Sequence, residues 1–247
     1  MYMKALILAA GYATRLYPLT EDQPKPLLKV GGQPIIEHIL HKIEEVPEVT
    51  QIYIVTNARF YSDFELWSQN VKCSKAIIII NDGTLTNETR LGAVGDLQFV
   101  LDQQKIDEEL LVVAGDNLFG FSLVNLVDFF KSQQATVVGF HNFIDRNKVK
   151  KKYGVGILEE TKVIDFEEKP ENPRSALAST GCYLFTPEDL QLVEESIRRG
   201  KADNPGDLIR WLVQHSEVHG YLFEEHWFDI GSFDSLKEAE KVYTYEH

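Results

Sequence analysis

The chain contains 247 residues, and its 25 Lys and Arg against 38 Asp and Glu give a net charge of −13 at pH 7 with His neutral. This balance argues against a protein that coats nucleic acid or an anionic membrane, because such binding needs clustered cations, but a few well-placed cations or a metal could still hold a phosphorylated small molecule. With 44% hydrophobic and 26% charged residues, the chain has the composition of a globular protein.

The cysteines and the N-terminus indicate an intracellular protein. The sequence contains two cysteines, Cys73 and Cys182, and two thiols make neither a disulfide framework nor a four-cysteine zinc site. The apolar stretch at residues 5–10 is too short for a signal peptide or a membrane span. We therefore expect a cytoplasmic protein with no membrane partner and no nucleic-acid partner.

The first half of the chain alternates between short apolar runs and stretches with helical spacing. The apolar runs predict strands at residues 5–8, 52–55, 76–80, 110–114 and 135–140. Apolar residues at helical spacing predict one helix from Pro34 to residue 43 and another over residues 121–130. Apolar strands separated by helices indicate an α/β fold with a Rossmann-like, mostly parallel sheet covered by helices on both faces.

The second half has a different pattern, which predicts a smaller mixed β/α insertion that carries the other side of a cleft. Its predicted elements are a hairpin at 153–158 and 163–166, strands at 181–185, 219–223 and 227–230, and helices at 187–199, 207–213 and 233–243. No linker or repeat marks a domain boundary, so we expect a single domain over residues 1–247.

The most informative segment is the N-terminal loop, Leu-Ala-Ala-Gly-Tyr-Ala-Thr-Arg-Leu at residues 8–16, with Pro-Lys-Pro-Leu-Leu at 24–28. Gly11 follows a buried strand, where the backbone can approach a ligand closely. Arg15 offers a planar fork and Lys25 a point charge, which together suit a polyphosphate. A lone glycine and arginine would more often be a solvated strand-to-helix connection. The loop is neither a Walker motif nor a dinucleotide-binding fingerprint.

The complete string resembles the sugar-phosphate nucleotidyltransferases, a family that includes glucose-1-phosphate thymidylyltransferases and uridylyltransferases. Their signature is close to L-A-A-G-x-G-T-R-L-x-P-L-T, followed by P-K-P-L-L and G-x-P-I-I, and here the match continues through residues 32–36. Ala13 departs from it, since a second glycine is usual there. The resemblance implies that Arg15 and Lys25 hold the reacting phosphates. The implied nucleotide contacts in the loop are Leu8, Ala10, Gly11 and Thr14.

Two aspartates follow apolar strands, Asp116 after residues 111–115 and Asp229 after residues 227–228. Each aspartate, taken alone, would more often cap a helix. Carboxylates at strand ends facing one cleft also suit Mg²⁺, which takes one or two protein oxygens and fills its other positions with phosphate and water. Both strings match the places of the family's two metal-binding aspartates, so the resemblance implies that Asp116 and Asp229 bind Mg²⁺.

The string Phe-Glu-Glu-Lys-Pro at residues 166–170 matches the family's F-x-E-K-P. This match implies that Lys169 neutralises the sugar 1-phosphate and that Glu168 accepts hydrogen bonds from sugar hydroxyls. Without the family context, the same residues would be a charged turn after an edge strand. The resemblance implies further substrate contacts at Asn117, Gly154 and Thr180.

The loops that should read the base contain Asn81 and Gly92. Many relatives have Gln near the position of Asn81 and a shorter loop before the glycine, so residues 84–90 are a departure from the family pattern. The sequence therefore leaves the preferred base open.

These residues predict an Mg²⁺-dependent enzyme that joins a nucleoside triphosphate and a sugar 1-phosphate, with glucose 1-phosphate the expected sugar, into a nucleotide sugar and pyrophosphate. The nucleotide would bind to the half at residues 1–145 and the sugar phosphate to the half at 146–247. The expected catalytic residues are Arg15, Lys25, Asp116, Lys169 and Asp229.

Two alternatives stay open. One is a cytidylyltransferase for a non-sugar phosphate such as phosphocholine, which would need an aromatic or acidic cage for the quaternary amine. The other is a non-catalytic, nucleotide-sensing regulatory protein with the same fold. The sequence is compatible with a homo-oligomer. Because it ends soon after the segment that follows Asp229, we expect no C-terminal β-helix of the kind that some relatives append, and therefore no acyltransferase activity.

Overall fold

A computed structural model describes residues 2–200 and 203–245 of the chain. Within these ranges the strands are β1 (Met3–Leu8), β2 (Lys29–Val30), β3 (Gln33–Pro34), β4 (Val49–Thr56), β5 (Ala76–Asn81), β6 (Leu110–Ala114), β7 (Asn117–Phe119), β8 (Thr136–Asn142), β9 (Val155–Glu159), β10 (Lys162–Glu167), β11 (Leu177–Phe185), β12 (Val218–Phe223) and β13 (Trp227–Asp229). The α-helices are α1 (Ile35–Glu44), α2 (Tyr61–Ser68), α3 (Ala93–Gln104), α4 (Leu123–Gln133), α5 (Pro187–Leu190), α6 (Val193–Arg198), α7 (Pro205–His215) and α8 (Phe233–Tyr245).

The central sheet has the order β5-β4-β1-β6-β11-β8-β12-β10-β9 within the described residues. Strands β5, β4, β1 and β6 are all parallel to one another. This order of the first four strands, with β1 inside, is that of one half of a doubly wound α/β sheet. The predicted α/β fold is therefore confirmed, and the parallel arrangement holds for the strands of the first half.

The remaining strands of the central sheet form a mixed extension. β11 lies antiparallel between β6 and β8, β12 pairs with β8 in parallel, and the β9–β10 hairpin completes this edge. Mixed pairing was predicted for the second half of the chain. The prediction of a smaller insertion was wrong in one respect, because these strands continue the same sheet through the β6–β11 ladder.

Helices cover both faces of the sheet, as the sequence predicts. Alternate residues of β1 point to opposite sides, with Ala5 and Ile7 in one hydrophobic core and Leu6 in the other. Helices α1, α2, α4 and α8 contribute buried side chains to the first core, and α3, α6 and α7 contribute to the second. Both cores therefore hold the strand ends of the sheet in fixed positions.

Two helices were not predicted, and one predicted helix is divided. Helix α2 buries Phe64 alone among its residues, and α3 begins just after Gly92 and contains Gly95, so neither shows an uninterrupted apolar face. The expected helix at 187–199 separates into α5 and α6, because hydrogen bonds from residue i to i−3 replace the helical ladder at Gln191 and Leu192.

The ends of β1 and β6 are tied together where the chain leaves the sheet. Leu8 pairs with Ala114, and the N–H of Gly115 donates to the carbonyl of Leu8 over 2.9 Å. The carboxyl ends of both strands therefore open onto the same edge, which is where ligands bind in α/β sheets. Among the described residues, no helix is long and apolar enough to cross a membrane.

Candidate active site

A cleft of about 470 Å³ lies at this edge of the sheet. The predicted site residues on its wall are Leu8, Ala10, Gly11, Thr14, Arg15, Lys25, Gly92 and Asp116. The structure therefore brings the nucleotide contacts expected from the N-terminal loop, two expected phosphate-binding cations and one expected metal ligand to a single cavity.

The N-terminal loop turns sharply at Ala13, which has a left-handed backbone with φ of 48°. This conformation costs alanine about 1–2 kcal/mol relative to an ordinary backbone, whereas glycine adopts it freely. The carbonyl of Ala13 accepts a hydrogen bond from the hydroxyl of Thr20 over 2.8 Å and one from the N–H of Leu16 over 3.0 Å. These hydrogen bonds stabilise the turn, so the loop forms with Ala13 in place of the glycine that is usual in the family.

Lys25 and Asp116 form an ion pair on the wall of the cleft, with Nζ 2.5 Å from Oδ2. Asn117 donates from Nδ2 to the other oxygen of Asp116 over 3.0 Å. Trp227 in turn donates from Nε1 to Oδ1 of Asn117 over 2.7 Å. Asn117 is 5% exposed, so in this structure its side chain orients the carboxylate of Asp116.

Asp229 reaches the same place from a distant part of the sequence. Strand β13 pairs with β7 so that Asp229 lies opposite Asn117, and the N–H of Ile230 donates to the carbonyl of Asp116. Burial and the charge of Asp116 raise the pKa of Asp229 to about 6.

Three cations act on Asp229 in the opposite direction. The positive charges of Lys25, Arg15 and Lys169 all favour its ionised form and lower its pKa. A Cβ added to Gly231 would lie 3.3 Å from Nη2 of Arg15, which places this guanidinium beside the turn after β13. The five residues predicted to be catalytic are therefore close enough to interact, with Arg15, Lys25 and Asp116 on the wall of the cleft and Asp229 and Lys169 outside its lining.

The two carboxylates fit a magnesium ion. The negative charge of Asp116 disfavours ionisation of the half-buried Asp229, and a bound divalent cation would offset this repulsion. No cluster of three or more His, Cys, Asp or Glu side chains suited to a metal occurs in the part of the chain that the structure describes. Mg²⁺ does not require one, because it keeps water and substrate phosphate among its ligands.

Lys169 and Glu168, the residues predicted to bind the sugar phosphate, lie near Asp229. Lys169 has a left-handed backbone with φ of 44°, is half exposed, and places Nζ 3.3 Å from Oδ1 of Asn204 and 3.4 Å from Oε1 of Glu168. Burial raises the pKa of Glu168. Its carboxylate packs against Gly154 and Gly206, since a Cβ on Gly206 would overlap Oε2.

Three other residues that were predicted to contact the substrate or the base form hydrogen bonds within the protein. The hydroxyl of Thr180 is buried and donates to the carbonyl of Gly139 over 2.9 Å. Oδ1 of Asn81 accepts from the N–H of Gly83 over 2.8 Å and closes the turn after β5. Gly92 starts α3 with φ of 81°, and its carbonyl accepts from the N–H of Asp96. Contact of Thr180 with substrate and of Asn81 with the base stays a prediction.

The cleft wall also contains side chains that the sequence did not identify, which are Tyr12, Asn87, Arg90, Asp96, Tyr183 and Asp203. Arg90 lies in the segment 84–90 that departs from the family pattern, and its guanidinium contacts both oxygens of Asp203 at 3.2 and 3.0 Å. The departure from the family pattern could have identified Arg90 from the sequence, because an inserted loop next to a glycine turn is a candidate for ligand contact.

The sequence is similar to known nucleotidyltransferases over nearly its full length. The family model described as nucleotidyl transferase matches residues 4–246. The bifunctional protein GlmU of Methanocaldococcus jannaschii is 31% identical over 243 residues, which are 97% of this chain and 54% of the relative. The GlmU of Methanococcus aeolicus is 31% identical over 96% of this chain and 53% of its own length. This chain thus spans about half the length of these curated relatives.

Solved structures give the same assignment. A Bacillus anthracis protein, assigned as a glucose-1-phosphate thymidylyltransferase and solved in complex with sucrose, has a TM-score of 0.85 and 26% identity, covering 98% of this chain and 95% of its own. A UDP-glucose pyrophosphorylase solved with UDP-glucose shares the fold with a TM-score of 0.83 and 24% identity, covering 100% of both chains. The resemblance seen in the N-terminal loop is confirmed, and the chain belongs to the nucleotidyl transferase family.

Proposed function

We propose that this protein transfers a nucleoside monophosphate from a nucleoside triphosphate to a sugar 1-phosphate, with Mg²⁺, and releases pyrophosphate. The observation that carries this proposal is the convergence of the positive charges of Arg15, Lys25 and Lys169 on Asp229, whose neighbour Asp116 lines the cleft together with Arg15 and Lys25. The positive charges of these three side chains can balance both the two carboxylates and the phosphates of a substrate.

The reaction forms a bond between a phosphate oxygen of the sugar 1-phosphate and the α-phosphorus of the triphosphate. It breaks the bond between the α-phosphorus and the bridging oxygen, and pyrophosphate leaves with that oxygen. A phosphate monoester carries about −1.5 to −2 charges at neutral pH, so its oxygen attacks without a general base. The chain therefore needs to supply alignment and countercharge rather than a proton acceptor.

Countercharge is the main requirement, because both substrates are anions and the protein is acidic. Two like unit charges about 4 Å apart repel by roughly 4 kcal/mol at an effective dielectric of 20. Arg15 and Lys25 would hold the triphosphate, while the backbone of the Gly11 loop lets it approach the sheet edge. Lys169, whose charge also acts on Asp229, would bind the sugar phosphate.

Asp116 and Asp229 would hold the magnesium ion, which supplies positive charge to the phosphate oxygens. Asn117 keeps the carboxylate of Asp116 in place through its own bond to Trp227. Because Lys25 contacts Asp116 directly, the side chain that orients this carboxylate also controls the position of a substrate-binding cation.

We assign the nucleotide to the half at residues 1–145 and the sugar phosphate to the half at 146–247. The loop at 8–16, Asn81 and Gly92 belong to the first half, and Glu168, Lys169 and Gly154 belong to the second. Glu168 would accept hydrogen bonds from sugar hydroxyls, because its buried carboxylate has Lys169 on one side and leaves acceptor capacity on the other.

Glucose 1-phosphate is the first sugar to test, since the Bacillus anthracis structure is assigned as a glucose-1-phosphate thymidylyltransferase. Mannose 1-phosphate is the second, since a Sulfolobus acidocaldarius relative that is 29% identical over 93% of this chain is assigned as a mannose-1-phosphate guanyltransferase. A phosphocholine site would need aromatic faces open to a quaternary amine. Near Asp229, Phe143 and Tyr153 instead stack on each other at 5.7 Å, and Trp227 packs edge-on against Tyr153 at 5.0 Å. This packing favours the sugar substrate.

The test is pyrophosphate release by the purified protein over a grid of nucleoside triphosphates against glucose 1-phosphate, mannose 1-phosphate and phosphocholine, with Mg²⁺ and with EDTA. We expect turnover with one sugar 1-phosphate in Mg²⁺ and none in EDTA. Turnover with phosphocholine alone would replace the sugar by a choline substrate. Triphosphate binding without turnover on any acceptor would identify a nucleotide-sensing protein instead.

A further inference from the structure

Helix α7 starts beside the turn that contains Glu168 and Lys169. Pro205 is its first residue, so Asn204 occupies the N-cap position. Asparagine is favoured at an N-cap because its side-chain oxygen can accept from the N–H groups of the first helical turn. Within the described structure, the side chain of Asn204 forms no such capping bond. The residue type that suits the cap is therefore present, but its side chain has another partner.

That partner is Lys169. Oδ1 of Asn204 accepts a hydrogen bond from Nζ of Lys169 over 3.3 Å. An ammonium group can only donate, so it must face the carbonyl oxygen of the amide and not its nitrogen, which fixes the orientation of the Asn204 side chain. Nζ also contacts Oε1 of Glu168 over 3.4 Å. Because an ammonium group carries three hydrogens, these two acceptors leave one hydrogen for a substrate phosphate.

The backbone of Lys169 also indicates a positioned side chain. Its φ of 44° is left-handed, and a residue with a Cβ keeps this conformation only where its surroundings compensate the strain. The side chain is half exposed, so burial does not hold it. The contacts with Glu168 and Asn204 therefore restrict a long side chain that would otherwise lose more rotamer entropy when it binds a phosphate.

Gly206 allows the start of α7 to approach the same turn. A Cβ on Gly206 would lie 1.8 Å from Oε2 of Glu168, so a larger residue would displace that carboxylate. Glycine is a poor helix former, and the helix alone would favour alanine at this position. Both Asn204 and Gly206 thus depart from what the helix alone favours, and both departures face Glu168 or Lys169. Such departures from local rules are expected where function requires them.

The segment that carries Asn204 is anchored on its other side to the nucleotide half. The carboxylate of Asp203 contacts the guanidinium of Arg90 at 3.2 and 3.0 Å, and the carbonyl of Asp203 accepts from the N–H of Ala93 over 3.1 Å. The carbonyl of Asn204 accepts from the N–H of Asp207 over 3.0 Å. The backbone around Asn204 is therefore fixed, as a residue that supports another side chain requires.

We propose that Asn204 is a positioning residue, whose amide oxygen holds the ammonium group of Lys169 in the place where it meets the phosphate of the sugar 1-phosphate. This inference rests on the proposed function, because that function makes Lys169 the phosphate-binding cation. A neutral amide suits the role. It orients the ammonium group without cancelling its charge, whereas a second carboxylate beside Glu168 would compete with the phosphate.

The test is a double-mutant cycle with Asn204→Ser and Lys169→Ala, measured by steady-state kinetics and thermal unfolding. Serine is as good an N-cap as asparagine, but its side chain is one atom shorter and loses the contact with Nζ. We expect Asn204→Ser to raise KM for the sugar 1-phosphate roughly 3- to 10-fold, with KM for the triphosphate within about twofold and no loss of Tm. In the Lys169→Ala background, Asn204→Ser should change kcat/KM for the sugar 1-phosphate by less than about twofold.

Asn172→Ser is the matched control, because Asn172 is an exposed asparagine that also precedes a proline. Its KM values should equal those of the wild type. If Asn204→Ser keeps the wild-type KM for the sugar 1-phosphate, or lowers kcat/KM as much without Lys169 as with it, then Asn204 does not act through Lys169. A lower Tm with equal rises in both KM values would identify a structural cap and would overturn the proposal.

A second measurement does not depend on turnover. Relaxation of ¹³C-labelled lysine side chains reports their mobility, and the signal of Lys169 is assigned by its loss in Lys169→Ala. We expect this signal to become more mobile in Asn204→Ser and to stay unchanged in Asn172→Ser. A wild type that turns over no sugar 1-phosphate would contradict the proposed function, while the mobility of Lys169 would still decide the inference. Unchanged mobility in Asn204→Ser would overturn it.

Discussion

Two pairs of aspartates each have one member on the wall of the cleft, but their electrostatic surroundings differ. Asp116 and Asp229 lie among Arg15, Lys25 and Lys169, whose charges oppose the rise in the pKa of Asp229. In the second pair, burial and Asp82 together raise the pKa of Asp96 to about 8. Nearby cations thus limit the rise in pKa in the first pair and are missing from the causes that raise it in the second.

This difference separates the two pairs in what they can bind. Carboxylates with cations around them suit phosphates and a metal ion, where charge must be balanced. In the part of the chain that the structure describes, no cation is among the groups that shift the pKa of Asp96. Replacing an aspartate by asparagine removes the charge but keeps the shape, and therefore tests the two pairs in the same way.

The largest effect is expected for Asp229→Asn. Loss of one carboxylate charge weakens magnesium binding and removes charge stabilisation worth several kcal/mol, so kcat should fall roughly 10³-fold. The measurement is pyrophosphate release at saturating substrates over a magnesium titration. Asp234→Asn, in the first turn of α8, is the control and should retain wild-type kcat. An Asp229→Asn enzyme with normal magnesium-dependent turnover would contradict the assignment of this residue.

Lys169→Ala should act on one substrate. Removing its ammonium leaves the sugar phosphate without its nearest cation, and we expect KM for the sugar 1-phosphate to rise roughly 10- to 100-fold, as for a lost charged hydrogen bond. The KM for the triphosphate should stay within about twofold. Lys162→Ala, on the exposed side of β10, is the matched control. Equal rises in both KM values would mean that Lys169 does not distinguish the two substrates.

Asp96 should reveal its raised pKa through the pH dependence of stability. The pKa of Asp96 is raised from 3.8 to about 8 in the folded protein, so between these values the folded state binds more protons than the unfolded state. Stability therefore decreases as pH rises through this window, by at most about 1.4 kcal/mol per pH unit from this group. Urea unfolding at pH 5 and pH 8.5 should show a smaller decrease for Asp96→Asn than for the wild type.

Asp82 and Tyr12 face Asp96 and are unchanged in that variant, and Asp229 contributes equally to both proteins. The difference between the two pH slopes thus isolates Asp96. Identical slopes would show that Asp96 is ionised in the folded protein near neutral pH.

The smallest effect is expected for Ala13→Gly. Glycine relieves a left-handed backbone cost of about 1–2 kcal/mol, and its greater freedom in the unfolded chain offsets about 0.4–1 kcal/mol of that gain. We expect a net stabilisation of about 1 kcal/mol or less, which is about 2–4 °C in Tm for a chain of this size. A lower Tm would indicate that the methyl group of Ala13 makes a packing contact that outweighs the strain.

The sequence predicted most strands of the sheet, because their apolar runs are short and continuous. The strand expected at residues 110–114 coincides with β6, and the one at 76–80 is one residue shorter than β5. Helix α3 was missed although Val94, Leu97, Val100 and Leu101 are buried at helical spacing. The glycines at its start concealed this pattern, since glycine is a poor helix former.

The sequence predicted those parts of the candidate site whose residues belong to a short continuous motif. Arg15 and Lys25 belong to one such string, and Lys169 belongs to another. Asp96 was not predicted, because an aspartate in a helix is usually a solvated residue, and nothing local reveals that its carboxyl group faces Asp82. The contact of Asn117 with Trp227 is equally invisible in the sequence, since the two residues are 110 positions apart.

The sequence by itself determined the family, the α/β class and the residues expected to meet the phosphates, because these depend on short motifs and on the periodicity of apolar residues. The tertiary structure alone decided that the strands of the second half extend the first sheet and that Asp116 and Asp96, each with a second aspartate beside it, line one cleft. Pairing between distant strands and the burial of a carboxyl group are non-local properties. They set the pKa values of Asp229 and Asp96, and no local pattern encodes those.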